Sequence, residues 1–295
     1  MWADSLTMEE VEATLSATEE LRTVSWAVPL LRLTKPILDR LRAGIIDREA
    51  YRANPLQPSE MSFLFEIRFA RSLAQAGVVA EYEYGASVGN TTIDFRVKLD
   101  PPWLVELVSL HESAAFKQTA WTSGDWYGYA LRTDAGNPKH SEEGETLKAQ
   151  ERIGNKVLDD QRPIKFPEPN GSIHMLMVDA RGYMGGGHAD KADWHQLAYG
   201  PRGLEPHFIK FWTNPTTGTR APIMGLFEAG CPLPASRIMQ ERIHFIGFIC
   251  ERKFASGEIK EQTFYCGNPA LLADEHVARS VMSSWPLSRS GAVRE

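Results

Sequence analysis

A change of hydrophobic period after Gly77 is the feature that most constrains how this chain can fold. Before it, residues 59–76 carry apolar side chains at helical spacing. After it, the three segments VVAEYEYG, TTIDFRVKL and WLVELVSL are typical of strands. The sequence Asp100-Pro101-Pro102 separates the last two segments, because proline cannot continue a central strand ladder. The pattern therefore predicts one helix followed directly by three strands.

The rest of the chain continues to alternate between helix and strand patterns. A helix is predicted over residues 142–161, a nearly continuous apolar strand over SIHMLMVDA, and further strands over RIHFIGFICER and IKEQTFYC. Residues 111–142 are rich in Gly, Ser, Thr and Trp and are expected to be irregular. This order predicts an α/β (mixed α+β) fold with a central mixed sheet flanked by helices. We divide the chain into an N-terminal helical attachment, residues 1–57, and a single domain with C-terminal extra strands, residues 58–295.

The composition narrows the class of protein. Of the 295 residues, 43% are hydrophobic and 24% are charged, as expected of a globular protein. A formal net charge of -6 disfavours indiscriminate nucleic-acid binding but is compatible with a local basic groove. Three cysteines without a CxxC pair disfavour a disulfide framework or a structural zinc site. Without a signal-peptide pattern or a membrane-spanning stretch, a cytoplasmic protein with no membrane partner is predicted.

Two carboxylates lie inside the apolar strand segments. In TTIDFRV, alternation places Asp94 on one side and the three apolar residues, Ile93, Phe95 and Val97, together on the other. In WLVELVSL, Glu106 has only apolar neighbours on its own side. A lone ionised carboxylate in such a place is costly unless it is paired or bound to a metal ion. If the two strands pair antiparallel, both carboxylates enter the same space, which suits an oxygen-preferring cation such as Mg²⁺.

This order of acidic residues resembles the PD-(D/E)xK nuclease superfamily, also called restriction-endonuclease-like. The matching residues are Glu66 in FLFEIRFA, Asp94 in TIDF and Glu106 in LVELV, within about residues 58–180. The resemblance implies a mixed four-stranded core sheet and a nuclease that hydrolyses phosphodiester bonds with Mg²⁺ or Mn²⁺. All three acidic residues would then be metal ligands. Nucleic acid, with DNA expected before RNA, is the implied partner, and paired cuts on duplex DNA would favour a homodimer.

The lysine of the superfamily motif is displaced in this chain. It is expected two residues after the glutamate, where Val108 stands, and in some relatives the next helix supplies it. The helix GETLKAQERIGNKVLDDQ offers Lys148 and Lys156, and we favour Lys156 because it neighbours Val157 on the buried side. Lys156 would stabilise developing anionic charge or orient the attacking water. If neither lysine reaches the carboxylates, a non-catalytic member that binds nucleic acid or protein is the alternative.

The acidic residues also have structural explanations that the sequence leaves open. Glu66 lies on an amphipathic helix, where most glutamates face solvent. The two strand carboxylates could form structural ion pairs with basic residues of neighbouring segments. The candidate partners are Arg96 and Lys98 for Asp94, and Arg68 and Arg152 for Glu106.

Two further segments compete as functional sites. HADKADWH contains His188, Asp190, Asp193 and His195, which could bind a transition metal if the two histidines converge. A metal hydrolase using this loop is our third hypothesis. The aromatic segment AWTSGDWYGYALR, directly after the Glu106 strand, could stack bases or could fold on its own aromatic side chains.

Overall fold

A computed structural model gives the arrangement of most of the chain. The structure describes residues 8–47, 49, 53, 56–86, 91–111, 113–123, 126–129, 131, 141–158, 165–180, 183, 189–214, 216–249, 259, 263–288 and 293–294. Eight α-helices lie within these ranges. They are α1 (Met8–Leu21), α2 (Val28–Ile46), α3 (Pro58–Gln75), α4 (Ala114–Thr119), α5 (Glu142–Asn155), α6 (Lys191–Tyr199), α7 (Pro234–Arg242) and α8 (Glu275–Ser283).

The strands of the described ranges form one large sheet and two small ribbons. The large sheet contains β1 (Ala80–Gly85), β2 (Thr92–Val97), β3 (Trp103–Ser109), β6 (Ile173–Asp179), β9 (Phe245–Ile249), β10 (Thr263–Gly267) and β11 (Val293–Arg294), in the spatial order β1-β2-β3-β6-β9-β10-β11. The ribbons are β4 (Ala120–Ser123) with β5 (Trp126–Tyr129), and β7 (Phe211–Thr213) with β8 (Arg220–Pro222).

The sheet is mixed, as predicted. β1, β2 and β3 form an antiparallel meander, β6 and β9 continue the sheet parallel to β3, and β10 returns antiparallel. The predicted order of helix, three strands, helix and strand is present as α3, β1 to β3, α5 and β6. The expectation that residues 111–142 are irregular is wrong in part, because α4 and the β4–β5 ribbon lie there. The predicted C-terminal strands extend the same sheet.

Two hydrophobic clusters cover the two faces of the sheet. The first packs α1, α2, α3 and α8 against the sheet, and the second packs α5, α6 and α7 against its other face. All seven residues of β3 are buried, because its side chains alternate between the clusters. Val105 and Leu107 belong to the first cluster, whereas Leu104 and Val108 belong to the second. This double coverage explains why the β3 sequence is an apolar run interrupted only by Glu106 and Ser109.

The N-terminal helices share the first cluster with the sheet. Leu21, Leu30 and Leu41 are fully buried there, together with Phe69 of α3 and Trp103 of β3. The division of the chain at residue 58 stays a prediction, but the helices before it contribute to the same core. No helix in the described ranges has both the length and the apolar character needed to cross a membrane.

Candidate active site

The two strand carboxylates meet across the β2–β3 pair. Antiparallel pairing aligns Phe95 with Val105, so one step further along this register Asp94 lies opposite Glu106. The Leu107 N–H donates to Asp94 Oδ2 at 2.7 Å, and the Asp94 N–H donates to Glu106 Oε2 at 3.3 Å. Side-chain carboxylates therefore accept hydrogen bonds from the opposite backbone at this point. The structure brings these two predicted site residues together.

A backbone kink in β1 lies beside Asp94. Glu83 has φ 54°, a left-handed conformation that non-glycine residues rarely adopt. Residues two positions apart on a regular strand share a face, but Phe95 packs in the first cluster and Ile93 in the second. The prediction that Ile93 and Phe95 lie on the same side is therefore wrong. The edge strand β1 and its neighbour β2 change face at Glu83 and Asp94.

Glu106 is fully buried and its charge is compensated by two lysines. Lys156 Nζ lies 3.3 Å from Glu106 Oε1, and Lys165 Nζ contacts the same oxygen. Lys156 is the lysine that the sequence favoured. Lys165 was missed. One oxygen of the Glu106 carboxylate accepts a hydrogen bond from the opposite backbone, and the other contacts two ammonium groups. The buried charge is therefore paired, as burial of an ionised carboxylate requires.

Burial and neighbouring charges shift the pKa values at this point. Burial raises the pKa of Asp94 well above its usual range, and the adjacent Glu106 carboxylate raises it further. Burial alone would lower the pKa of Lys156, but Glu106 and Asp94 stabilise its ammonium form, so the pKa is raised overall. Lys156 is therefore a fixed positive charge, whereas Asp94 takes up a proton more readily than an exposed aspartate.

The ion pairs suggested as structural explanations form elsewhere. Arg96 Nη1 and Lys98 Nζ both contact Glu81, at 3.2 and 2.9 Å, on the β1 side of β2. Arg152 Nε donates to the carbonyl oxygen of Ser109 at 2.6 Å. Lys156 and Lys165 are the lysines that contact Glu106.

Glu66 lies in α3 and is buried rather than on a solvated face. The Tyr82 hydroxyl donates to Glu66 Oε2 at 2.6 Å. Burial raises the pKa of Glu66 to about 7. Lys156 and Glu106 also influence this pKa, the first lowering it and the second raising it, so the three groups share one electrostatic environment. The structure thus buries the third predicted acidic residue against Tyr82, near enough to Glu106 and Lys156 for their charges to influence its pKa.

The residue at the usual lysine position is part of the core. Val108 is fully buried in the second cluster with Ile153 and Val157. An ammonium group there would be buried among apolar side chains, which is costly. Lys148, the other lysine considered from the sequence, pairs with Glu145 at 2.7 Å.

Lys165 lies in the connection between α5 and β6, where the sequence has no periodic pattern to place it. Its N–H donates to the Val157 carbonyl oxygen at 3.0 Å, and the next residue, Phe166, is fully buried. These two anchors fix the direction of the Lys165 side chain. Lys165 reaches Glu106 because of the conformation of this loop, which has no hydrophobic period. In the sequence, the apolar residue Phe166 next to Lys165 was the sign that this part of the loop is buried.

The HADKADWH segment is used for local structure. Asp190 caps α6, since its Oδ1 accepts hydrogen bonds from the N–H groups of Ala192 and Asp193. Asp193 also pairs with Lys210, and the His195 ring packs against Tyr199. His188 and the glycine run before it lie outside the described residues. The metal-hydrolase hypothesis for this loop therefore stays a prediction that the two aspartates do not favour.

The aromatic segment after α4 forms the β4–β5 ribbon. Tyr129 packs on Phe116 with ring centroids 4.7 Å apart, which fits folding on its own aromatic side chains. Trp121 is 54% exposed and available for contact. The side chains of Trp126 and Tyr127 lie outside the described residues.

The donor set at the β2–β3 carboxylates fits a hard divalent cation in its chemistry. Asp94, Glu106 and Glu66 offer only carboxylate oxygens, the ligands that Mg²⁺ prefers. In the arrangement described, however, Glu106 Oε1 is engaged by two lysines. Among the described residues, no group of three or more His, Cys, Asp or Glu side chains is placed to hold a metal ion.

Comparison of the chain with protein-family models, with curated proteins and with solved structures gave no match. These comparisons neither support nor oppose the resemblance to PD-(D/E)xK nucleases. Function is therefore inferred from the strand topology and the side-chain chemistry alone.

Proposed function

We propose that this chain is a metal-dependent hydrolase of the PD-(D/E)xK type, which cleaves phosphodiester bonds in nucleic acid. The observation that carries the proposal is the contact between Asp94 and Glu106 across adjacent antiparallel strands, with lysine ammonium groups on Glu106. The order α3, β1 to β3, α5 and β6, with β6 parallel to β3, is the order that the family resemblance implies and supports the same assignment.

The acidic residues are assigned to a divalent cation, Mg²⁺ or Mn²⁺. Asp94 and Glu106 would hold it from the sheet, and Glu66 would ligate from α3. A cation bound there supplies an activated water and neutralises charge on the attacked phosphate. The raised pKa values of Asp94 and Glu66 mean that protons compete with the cation for these carboxylates.

The two lysines have separate roles because they differ in exposure. The Lys156 side chain is 42% exposed, and the Lys165 side chain is 17% exposed. Lys156 is therefore the ammonium group that meets a phosphate arriving from solvent and stabilises the negative charge that develops on it. Lys165 contacts Glu106 and holds its orientation while Lys156 contacts the substrate. Lys165 is a positioning residue.

The expected substrate is nucleic acid, with DNA before RNA. The net charge of -6 requires that any binding surface be a local basic region. A homodimer is expected only if the protein cuts both strands of a duplex at one position, because each copy of the chain would then cut one strand.

A non-catalytic member of the same fold, acting in nucleic-acid or protein binding, is the second candidate. The observation that favours it is the neutralisation of Glu106 by two lysines, because a carboxylate paired in this way is stable without a cation. Such a protein would keep the fold and the buried ion pairs and would have no hydrolytic activity.

The test is Mg²⁺- and Mn²⁺-dependent cleavage of plasmid, single-stranded DNA and RNA. Asp94→Asn and Glu106→Gln are expected to lower the cleavage rate by roughly 10²-fold or more, because they remove the charge that holds the cation. Lys156→Ala is expected to cost a comparable factor through lost charge stabilisation. Lys98→Ala, which removes an exposed lysine that pairs with Glu81, is the control and should cleave at the wild-type rate.

The outcomes separate the two candidates. Loss of cleavage in both carboxylate variants, with the Lys98 variant active, supports the hydrolase. A wild-type protein that cleaves none of the three substrates and binds no Mn²⁺ by calorimetry would exclude it in favour of the non-catalytic member. Full activity in the Lys156 variant together with loss in Lys165→Ala would exchange the roles of the two lysines.

A further inference from the structure

A stripe of three basic residues runs along α5 towards the candidate active site. Lys148, Arg152 and Lys156 follow one another at four-residue spacing, the last as the residue that ends the helix. Residues four apart lie on one helix face, separated by about 6 Å along the axis. The stripe ends at Glu106, which Lys156 contacts.

A cleft of about 540 Å³ lies beside this stripe. One wall is the basic face of α5, and the other is the segment that leaves β3, with Leu110, His111 and Ser113. Two acidic residues of α5, Glu145 and Glu151, also line it. The cleft therefore leads from solvent, along a helix with three cations and two anions, to the lysine at the buried carboxylates.

Each cation of the stripe is held in place and still exposed. Lys148 contacts Glu145 at 2.7 Å and keeps a side chain that is 40% exposed. Arg152 Nε is anchored on the Ser109 carbonyl oxygen at the end of β3, and the residue is exposed. Lys156 contacts Glu106. Anchoring reduces the entropy that these long side chains lose when they bind an anion.

We propose that this cleft binds a single strand of nucleic acid through its phosphate backbone, with successive phosphates at Lys148, Arg152 and Lys156. The inference rests on the proposed function, because it takes nucleic acid as the substrate of the site at Glu106. Three cations in one row, about 6 Å apart along the helix axis, can each contact a phosphate of the same strand. The cleft lies beside a single helix face, so we assign one strand to it and test a duplex as the competing ligand.

The test measures binding without cleavage. A fluorescein-labelled single-stranded oligonucleotide and a hairpin duplex of the same sequence are titrated in EDTA, by fluorescence anisotropy, over a series of KCl concentrations. For a single strand, the slope of log K against log salt is about -0.7 per phosphate contact. Lys148→Gln and Arg152→Gln are each expected to weaken single-strand binding several-fold and to reduce the magnitude of this slope by about 0.7.

Two controls separate charge from folding. Arg22→Gln removes a cation directly after α1 that pairs with Glu19 at 2.8 Å, at the same i,i+3 spacing as Glu145 and Lys148. This variant should leave both affinity and slope at wild-type values. Arg152→Lys keeps the charge while it removes the guanidinium contact with Ser109. It should retain the slope that Arg152→Gln loses, whereas a purely structural role of Arg152 would make both variants alike.

The results distinguish this inference from the proposed function. Wild-type cleavage together with unchanged binding in the Lys148 and Arg152 variants would overturn the cleft and leave the hydrolase in place. Weakened binding in those variants, from a wild-type protein that cleaves nothing, would support the cleft and exclude the hydrolase. Absence of single-strand binding, or a larger loss of duplex than of single-strand affinity in the variants, would overturn the single-strand assignment.

Discussion

At the scale of the residue, one fully buried carboxylate decides the chemistry of this protein. Glu106 Oε1 contacts both Lys156 and Lys165, and Glu106 Oε2 accepts a hydrogen bond from the Asp94 N–H in β2. Burial of an ionised carboxylate costs several kcal/mol unless opposite charge compensates it. Because two lysines are present, Glu106 keeps a partner when one of them binds a phosphate.

This redundancy can be measured by removing the lysines one at a time. Lys156→Ala and Lys165→Ala should each destabilise the fold modestly, since the remaining lysine still pairs with Glu106. The double variant leaves the buried carboxylate unpaired and should lose about 3–5 kcal/mol in the free energy of unfolding, more than the sum of the two single losses. Urea denaturation of the four proteins provides the values.

The control is Glu106→Gln in the double-lysine background. Removal of the charge should restore most of the lost free energy of unfolding, because a neutral amide is less costly to bury than an unpaired carboxylate. Two results would contradict the compensation of Glu106 by both lysines. One is a loss of unfolding free energy in the double variant that equals the sum of the two single losses, and the other is no recovery of stability in the glutamine variant.

At the scale of the element, the kink in β1 shapes the site. Glu83 adopts φ 54°, beside Asp94 in the neighbouring strand, and Phe95 and Ile93 pack on opposite faces around it. The left-handed conformation costs a residue with a side chain roughly 1 kcal/mol relative to glycine. The edge strand β1 adopts this strained conformation beside the point where Asp94 of β2 contacts β3.

Substitution of Glu83 tests the kink. Both Glu83→Gly and Glu83→Ala remove the hydrogen bond from Thr92 to the Glu83 carboxylate, so they differ only in the backbone preference at this position. In a regular strand, alanine is the more stable of the two. At φ 54° the order should reverse, with the glycine variant more stable by about 1 kcal/mol in thermal or urea unfolding. A more stable alanine variant would mean that the strand is regular here.

At the scale of the whole molecule, two buried histidines join the starts of parallel strands β6 and β9. The His174 N–H donates to His244 Nδ1 at 3.0 Å, and His174 Nδ1 lies 2.8 Å from the Arg242 carbonyl oxygen, to which it donates. Burial lowers the pKa of His174 to about 3 and that of His244 to about 4. Both rings are therefore neutral in the folded protein near pH 7.

Acid should weaken the fold through these histidines. Their pKa values are lowered on folding, so the unfolded chain binds more protons below pH 6.5 and stability is lost as the pH falls from about 6.5 towards 4. The expected loss is about 2 kcal/mol for each histidine at pH 5. Glu66 acts in the opposite direction, since its pKa is raised on folding to about 7 and its contribution to stability is lost as the pH rises.

A matched variant isolates the histidine contribution from that of Glu66. His244→Asn keeps an acceptor for the His174 N–H but does not titrate, so its unfolding free energy should fall less steeply than that of the wild type between pH 6.5 and 4. His207→Asn, at an exposed histidine, should follow the wild-type curve. Parallel curves for wild type and His244→Asn would show that His244 does not carry the pH dependence.

The local pattern of the sequence was sufficient for the order of elements from α3 to β6, apart from α4 and the β4–β5 ribbon. Alternation and apolar runs identified α3, the three meander strands, α5 and β6, and the strand positions of Asp94 and Glu106. Helices and strands are recognised from side chains close together in the sequence, because apolar residues recur every 3.6 residues in a helix and every 2.0 residues in a strand. The positions of Glu66, Asp94 and Glu106 on those elements were therefore available from the sequence.

Only the tertiary structure decided how the side chains meet. It placed Lys165 on Glu106, turned Ile93 away from the face of Phe95, and buried Val108 among the residues that cover β3. Each of these depends on contacts between segments far apart in the chain, through loops and a strained residue that have no period. The sequence by itself determined which residue types lie on which element, and long-range packing determined which charges face one another.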